Sequence, residues 1–456
     1  MIKKISFIFN VQQKIRLVIL FLMIFIGSFV ELLGVSAILP LVSAVADPEI
    51  IYTNNRYIML GRLLGAKDIR IFILYTAIIL VGIYIFKNTY ITCMYDVTYR
   101  FTYNNQRRLA TRLMKCYMNQ DYLFHTSHNV SELMRNISSD VTGFFNVVLS
   151  FLQLITEAAV CGVLIVFLLI QDVKTTLMLV VLLSIFLFIV MVVFKKKLKR
   201  MGQRSREISA EQNKYMLQAF GAIKEIKVAG NEDFFVNKYD ECYEENALIQ
   251  QRQQLLNIVP RPIMETVCIC GLLLFMSLQI YFGADMAKFI PTMSVFAVSA
   301  VRMLPSFNRI SGYIGNITFS LPSVDAVYND LKEAEALEGI KKETHDEEAT
   351  IDPDATISVR DLEFAYPSRP DKRIFDGVSL EIPARKSVAF IGPSGAGKTT
   401  LADVILGVLK PDKGAVYIGE ADVYRNLGLW HQCVGYIPQT IYLIDDTVRA
   451  NVAFGI

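Results

Sequence analysis

Four histidines, one tryptophan and seven cysteines are few special side chains for 456 residues. Their spacing removes several chemistries at once. The cysteines stand at 93, 116, 161, 242, 268, 270 and 433, an odd number with no CxxC among them. That pattern excludes a disulfide framework and a zinc site, and fits scattered apolar thiols. His125 and His128 are spaced i, i+3 but lack a third ligand nearby, so they read as a surface pair rather than a metal site. Charge of either sign is also not in excess: 46 Lys and Arg oppose 43 Asp and Glu, for a net +3. No basic patch is interleaved with aromatics, so nucleic acid is not an expected partner. No internal repeat or low-complexity tract stands out. The basic N-terminus precedes an apolar run from Leu17 to Val45, too long for a signal-peptide core and without a clean small-residue cleavage site. The expectation is that it stays in the mature chain.

What the chain does have is apolar length. Hydrophobic residues make up 53%, concentrated in runs that match a bilayer of about 30 Å, which takes roughly 20 helical residues to cross. Six spans are expected: Leu17–Val45, Ile69–Tyr90, Gly143–Ile170, Thr175–Phe194, Ile258–Phe282 and Phe289–Leu304, the last interrupted by Arg302 and Pro305. The fold class expected is a membrane all-α six-helix domain followed by a partial α/β P-loop nucleotide-binding domain. Its divisions are residues 1–332 for the membrane domain with long cytoplasmic helical extensions, 333–355 for a linker, and 356–456 for the nucleotide-binding part. The linker, "EAEALEGIKKETHDEEATIDPDA", is charged and has no apolar period.

The loops between spans are unequal. "QDVK" (171–174) and "GADMAK" (283–288) are short, whereas 87–140 and 195–257 are long and charged. "YRFTYNNQRRLATR" (99–112) and "KKKLKRMGQRSR" (195–206) are basic, which places these segments and the N-terminus in the cytoplasm. An even number of spans then returns the C-terminal part to the same side. Each long segment reads as two helical arms and a turn; an arm of about 25 residues reaches roughly 40 Å beyond the bilayer. The tips, "NQDYLFHTSHNVSEL" and "LQAFGAIKEIKVAGNEDFF", mix apolar and polar residues in a way that suits docking on another domain. The outer segment 47–68 is either a short amphipathic helix at the outer interface or a structured connector.

Past the linker come β-like runs, "TISVRDLEFAY", "IFDGVSLEI" and "KSVAFIG". The last feeds Gly392-Pro393-Ser394-Gly395-Ala396-Gly397-Lys398-Thr399-Thr400, a full GxxxxGK[ST] match. Gly392, Gly395 and Gly397 let the backbone turn so that N–H groups converge on phosphate oxygens. The helix starting near Lys398 adds its positive end. Lys398 neutralises the outer phosphates, and the Thr399 hydroxyl is placed to ligate Mg²⁺. The ligands expected are therefore ATP and Mg²⁺.

Spans followed by such a domain resemble a half-transporter of the ATP-binding cassette superfamily, with the type I exporter arrangement. The resemblance covers essentially the whole chain. It implies that Tyr366, in "FAYP", stacks on adenine, and that Gln439, in "VGYIPQT", contacts Mg²⁺ and the attacking water. It also implies a dimer, most simply a homodimer, in the inner (plasma) membrane. No LSGGQ-like signature, no Walker B strand ending in Asp-Glu and no switch histidine follows. "IYLIDD" (441–446) imitates a Walker B strand but comes too soon after Gln439. No catalytic residue is assigned, the chain alone is not expected to hydrolyse ATP, and a sequence clipped at 456 is the simplest explanation.

For cargo, the intramembrane charges Glu31, Glu157, Glu265 and Arg302, with Arg261 between two prolines, are the candidates. Arg261 and Arg302 would offer planar cationic donors to a phosphate group, or else pair with the glutamates. Within the exporters the chain is most similar to bacterial flippases of lipid-linked oligosaccharides, on the segment 47–68, the arginine-bearing fifth and sixth spans, and "SLPSVDAVYNDL". That implies a polyprenyl-pyrophosphate oligosaccharide as substrate. A general lipid, drug or peptide exporter, or a non-transporting ATP-binding membrane fragment, are the alternatives.

Overall fold

A computed structural model describes residues 2–36, 58–59, 62, 65, 68–171, 173–281, 286–341, 351–438 and 441–455. Two compact units result. One comprises Met1–Lys115 and Val130–Glu333, the other Cys116–Asn129 and Ala334–Ile456.

The first unit is helical, as an apolar chain with no water to satisfy its backbone must be. Its elements are α1 (Ile2–Ile8), α2 (Val11–Ser36), α3 (Ile69–Met118), α5 (Val130–Arg135), α6 (Val141–Gln171), α7 (Val173–Gly221), α8 (Ile223–Ala229), α9 (Glu232–Ile258), α10 (Pro260–Tyr281) and α11 (Met286–Lys341). The short α4 (Tyr122–Ser127) belongs to the second unit. Among the described residues, Val11–Gly34, Ile69–Met118 and Val130–Ile170 are long and apolar enough to cross a membrane. The other three expected spans fall on α7, α10 and α11. The spans and their charged arms form single helices: α3 has 50 residues and α7 has 49, about 75 Å each at 1.5 Å per residue. The outer segment 47–68 lies largely outside the described residues.

One expectation is corrected. Pro305 does not interrupt the helix of the sixth expected span, because α11 runs through it to Lys341. Pro305 is exposed while Met303, Ser306 and Phe307 are buried around it, so packing on the inner face carries the helix past one missing hydrogen bond. The expected linker is also helical in its first part, to Lys341, where Glu, Ala, Leu and Lys are good helix formers.

Close packing of the arms depends on small residues and one buried charge cluster. A Cβ on Gly202 of α7 would collide with the Phe319 carbonyl of α11, so only glycine permits that approach. Between α5 and α6 one wider π-type turn, Asn136–Asp140, brings both of its end residues into the interior. The Asp140 side chain is 1% exposed and lies 3.3 Å from Arg135 Nε. It accepts from Arg206 Nε at 3.0 and 2.9 Å, while Asn136 donates to Asp330. A second, exposed clamp joins α7 to α9: Arg204 grips Glu245 through Nε and Nη2 at 2.7 and 2.8 Å. These bonds hold the Glu245 carboxyl below the usual range.

The second unit carries a four-stranded antiparallel sheet in the order β2-β1-β3-β4, from β1 (Ile357–Ala365), β2 (Arg373–Ile382), β3 (Lys413–Ile418) and β4 (Ala421–Asp422). Ile357 faces Ile382 on one side and Ile418 on the other. Helices α12 (Lys398–Ile405), α13 (Leu427–Cys433) and α14 (Val448–Ala453) complete the unit. Its core joins Val359, Leu362, Phe364 and Val416 of the sheet to Leu401 and Val404 of α12 and Trp430 of α13. Leu123 of the first tip packs on this core.

The third β-like run, "KSVAFIG", is a further correction. It is not a strand and has no ladder partner among the described residues. Val388, Phe390 and Ile391 are 47%, 37% and 94% exposed. An apolar strand gains stability only from neighbours on both edges and faces, and the described residues supply none here. "IYLIDD" is likewise an exposed loop rather than a strand. After it, Thr447 caps α14 by accepting from Ala450 N.

Candidate nucleotide-binding site

Residues 391–396 form an exposed loop. Gly395 and Gly397 adopt φ of +82° and +84°, the left-handed region that side chains resist. Gly397 precedes α12, and Leu401 N donates to its carbonyl at 2.8 Å, the first bond of the helix. Glycine at this cap contributes no side-chain oxygen, so the N–H groups at the helix start remain for an anion. The Lys398 ammonium donates to the carbonyls of Gly392 and Pro393 at 2.9 and 2.8 Å, folding back over the loop it would serve. The loop therefore fits a polyphosphate: glycine conformers, a helix N-terminus and a cation share one turn.

Tyr366, at the end of β1, is brought to this loop by the sheet. Its hydroxyl lies 3.1 Å from Thr400 Oγ1, and Thr400 is buried. A cavity of about 490 Å³ opens beside it, lined by Tyr366, Pro367, Pro370, Arg373 and Lys413 among others. Thr399 is exposed at the first turn of α12, where its hydroxyl can meet a cation held by phosphate. Gln439 lies outside the described residues.

The far end of α12 is held by residues that the sequence did not single out. The Tyr424 hydroxyl shares its proton between the carbonyls of Val404 and Leu409, at 2.6 and 2.5 Å. Trp430 Nε1 donates to Ile405 O at 3.0 Å, and His431 Nε2 lies 2.9 Å from Leu406 O. These groups satisfy carbonyls that a helix end leaves bare. Burial pushes the Tyr424 phenol well up, with Asp422 adding to it. The only available signal was the chain's single tryptophan. Asp403 on the same helix has its carboxyl pushed up by desolvation. It lines a groove of about 350 Å³ with Tyr122, Leu406, Val408, His431, Val434 and Tyr436. In the tip beside it, His128 stacks on Phe124 with centroids 4.0 Å apart, and His128 Nδ1 lies 2.9 Å from the Phe124 carbonyl.

Gly397 is the strictest position of the loop. A Cβ there would lie 2.9 Å from Ile374 Cγ2 and 3.1 Å from Phe375 Cε1. Gly397→Val is expected to destabilise the cassette by about 1–3 kcal/mol through forced positive φ and overpacking. It should also weaken ATP binding at least about tenfold. Thermal melting with a fluorescent-ATP titration checks both, and wild-type values for both would refute the fit of the loop.

In the first unit the candidate cargo residues are separated by their pairings. Arg261 engages Glu265 through Nε at 3.0 Å, one turn away on α10. Glu157 is bound by Arg309 at 2.8 Å and Glu31 by Lys87 at 2.8 Å. Lys87 and Arg309 were not among the expected residues, although each is a lone cation at or beside an apolar run. Arg302 lies on α11.

Comparison with known proteins gives two family matches. The model described as ABC transporter transmembrane region covers residues 17–285, and the one described as ABC transporter covers 375–453. The ATP-dependent lipid A-core flippase of Dechloromonas aromatica (strain RCB) is 22% identical over 59% of the chain and 45% of its own length. ABC transporter B family member 1 of Dictyostelium discoideum is 23% identical over 76% of the chain and 38% of its own length. The mitochondrial iron-sulfur clusters transporter atm1 of Neurospora crassa is 25% identical over 76% and 48%. The chain thus spans less than half the length of these relatives.

Proposed function

The chain belongs to the ABC transporter family, and from that premise we propose that it moves a lipid-linked substrate, a polyprenyl-pyrophosphate oligosaccharide, across the inner (plasma) membrane at the expense of ATP. The observation that carries this is the loop at 392–400, with Tyr366 against Thr400, on one chain with apolar helices long enough to span a bilayer. The flippase name of one relative favours a lipid as cargo.

ATP bound with Mg²⁺ supplies the triphosphate charge and the free energy. The residues have separable tasks. Lys398 exchanges the carbonyls of Gly392 and Pro393 for the outer phosphates. The loop from Gly392 to Thr400, with Pro393, Ser394 and Ala396 shaping it, presents N–H groups. Tyr366 faces adenine, and Thr399 and Gln439 hold the cation. Tighter binding to one arrangement of the membrane domain than to the other shifts the balance between inward- and outward-open states. Arg261 and Arg302 meet the pyrophosphate. Arg261 engages Glu265 through Nε and is 69% exposed, which favours a second, bidentate partner on the guanidinium.

A second copy completes the transporter. The first tip already packs Leu123 on the cassette of its own chain. The second tip exposes Phe220, Val228, Phe234 and Val236 at 76%, 83%, 57% and 62%, a surface that a homodimer would cover. The basic segments after the second and fourth spans favour a cytoplasmic N-terminus and cassette.

The test is reconstitution of the protein, expressed from its complete reading frame, in liposomes carrying a polyprenyl-pyrophosphate oligosaccharide. ATP-dependent appearance of sugar at the opposite face is expected. ATP-dependent movement of a drug or plain phospholipid, with no response to this lipid, would overturn the substrate reading and leave the general exporter.

A further inference from the structure

Tyr95, Tyr99 and Tyr103 recur at i, i+4 and i+8 on α3, just past its apolar run. That spacing places them on one helix face. Tyr95 and Tyr99 stack with centroids 6.2 Å apart and planes 19° from parallel. Tyr99 and Tyr103 follow at 6.5 Å and 37°. Tyr95 is half-buried, while Tyr99 and Tyr103 are 40% and 60% exposed, so the ladder offers its rings to whatever lies outside it.

Two other helices bring a charge pair to the same place. Glu157 of α6 and Arg309 of α11 meet at 2.8 Å, and Tyr95 and Tyr313 lie within electrostatic reach of both and of Tyr99. Glu157 is 5% exposed, and its Oε2 has no hydrogen-bond partner among the described residues. The Arg309 side chain, by contrast, is 53% exposed. A guanidinium beside an apolar span does not face hydrocarbon; it lines a wet space or a partner.

The chemistry of this face is specific. Glu157 cancels the charge of Arg309, so the site is neutral overall and poorly suited to an isolated anion or cation. Its resources are flat aromatic faces, tyrosine hydroxyls that both donate and accept, and the remaining guanidinium donors. A sugar ring has the matching anatomy, with C–H faces that lie on aromatic rings and a rim of hydroxyls that bonds to planar groups.

We propose that Tyr95, Tyr99, Tyr103 and Tyr313, with Arg309, form a saccharide-binding lane that takes the neutral glycan of the cargo. This rests on the reading of the cargo as a lipid-linked oligosaccharide, and it adds where the sugar travels. Its arginine, Arg309, is a different residue from Arg261 and Arg302, which are assigned to the pyrophosphate.

The test compares two probes on the protein in nanodiscs: polyprenyl-pyrophosphate bearing an oligosaccharide, and the same polyprenyl-pyrophosphate without sugar. Wild type should bind the sugar-bearing lipid more tightly. The double variant Tyr99→Ala/Tyr103→Ala should lose roughly tenfold or more in affinity for that probe, and change less than about twofold for the other. Tyr99→Phe/Tyr103→Phe keeps the rings and should fall between. It also serves if the alanine pair folds poorly. Equal wild-type affinity for the two probes overturns the lane but leaves the flippase reading standing. So does an equal loss for both probes, the result expected if a second copy packs on these rings. Wild type binding neither probe overturns both.

Discussion

Replacing Lys398 by alanine is expected to weaken ATP binding roughly ten- to a hundredfold, the range that follows from losing charge-assisted hydrogen bonds of about 1.5–3 kcal/mol. The ammonium is poised rather than free. It sits on the carbonyls of Gly392 and Pro393 at 2.9 and 2.8 Å, and those contacts exchange for phosphate oxygens of far higher charge. The loop itself should survive the change, because its turns are set by Gly395 and Gly397 at φ of +82° and +84° rather than by the lysine. The melting temperature of Lys398→Ala should therefore stay within about 2 °C of wild type. Equilibrium titration with a fluorescent ATP analogue measures the effect, and unchanged affinity would sink the assignment of the loop.

Asp140→Ala should produce the largest loss of stability in the membrane domain, about 3–5 kcal/mol, because it removes the counter-charge of a buried guanidinium. Asp140 and Arg135 are 1% and 8% exposed, and Arg206 is only partly open at 26%. Once the carboxylate is gone, Arg135 keeps, among the described residues, the side-chain oxygen Oδ1 of Asn136 at 3.0–3.3 Å, a neutral acceptor in place of an anion. The internal control is Arg204→Ala, which breaks the clamp on Glu245 at groups 42% and 44% exposed. Water and salt screen that pair, and its loss should cost no more than about 1 kcal/mol. Melting of the two variants in the same nanodiscs should separate them clearly. Equal, small shifts would mean that the Arg135–Asp140–Arg206 cluster does not hold the arms together.

Where the sequence could be read, its signal was local. The helices from Val11, Ile69 and Val141 follow apolar runs whose length alone demands a helix in lipid. The loop at 392–400 was legible because its chemistry is contiguous: the glycines, the lysine and the helix start lie within nine residues. Where reading failed, the missing information was a neighbour. "KSVAFIG" has strand composition but is unpaired among the described residues, because a strand is defined by its ladder and not by its own residues. Pro305 reads as an interruption, and packing of Met303 and Phe307 carries the helix through it. The charged stretch after 332 begins where the two units divide, and helix-forming residues keep it helical to Lys341.

The charges in and beside the apolar helices show the same division. The sequence identified Glu157, Glu265 and Arg261 as charges worth explaining, but not their partners. Arg261 found Glu265 one turn along its own helix, an i, i+4 pairing that spacing alone permits. Glu157 found Arg309 from a helix more than 150 positions away, and no local pattern encodes that meeting. Tyr424, Trp430 and His431 likewise hold the phosphate-loop helix by its far carbonyls from a segment with no motif of its own.

The sequence by itself determined the apolar helices from Val11, Ile69 and Val141, the glycine turn that leads into the helix at Lys398, and the family, because each depends on residues adjacent in the chain whose period, length or turn preference is sufficient. Only the tertiary structure decided which charges are neutralised, which tyrosines come within electrostatic reach of Glu157 and Arg309, and which tip packs on the cassette. Those outcomes depend on burial and on distances between residues far apart in sequence, and both exist only once the chain has folded.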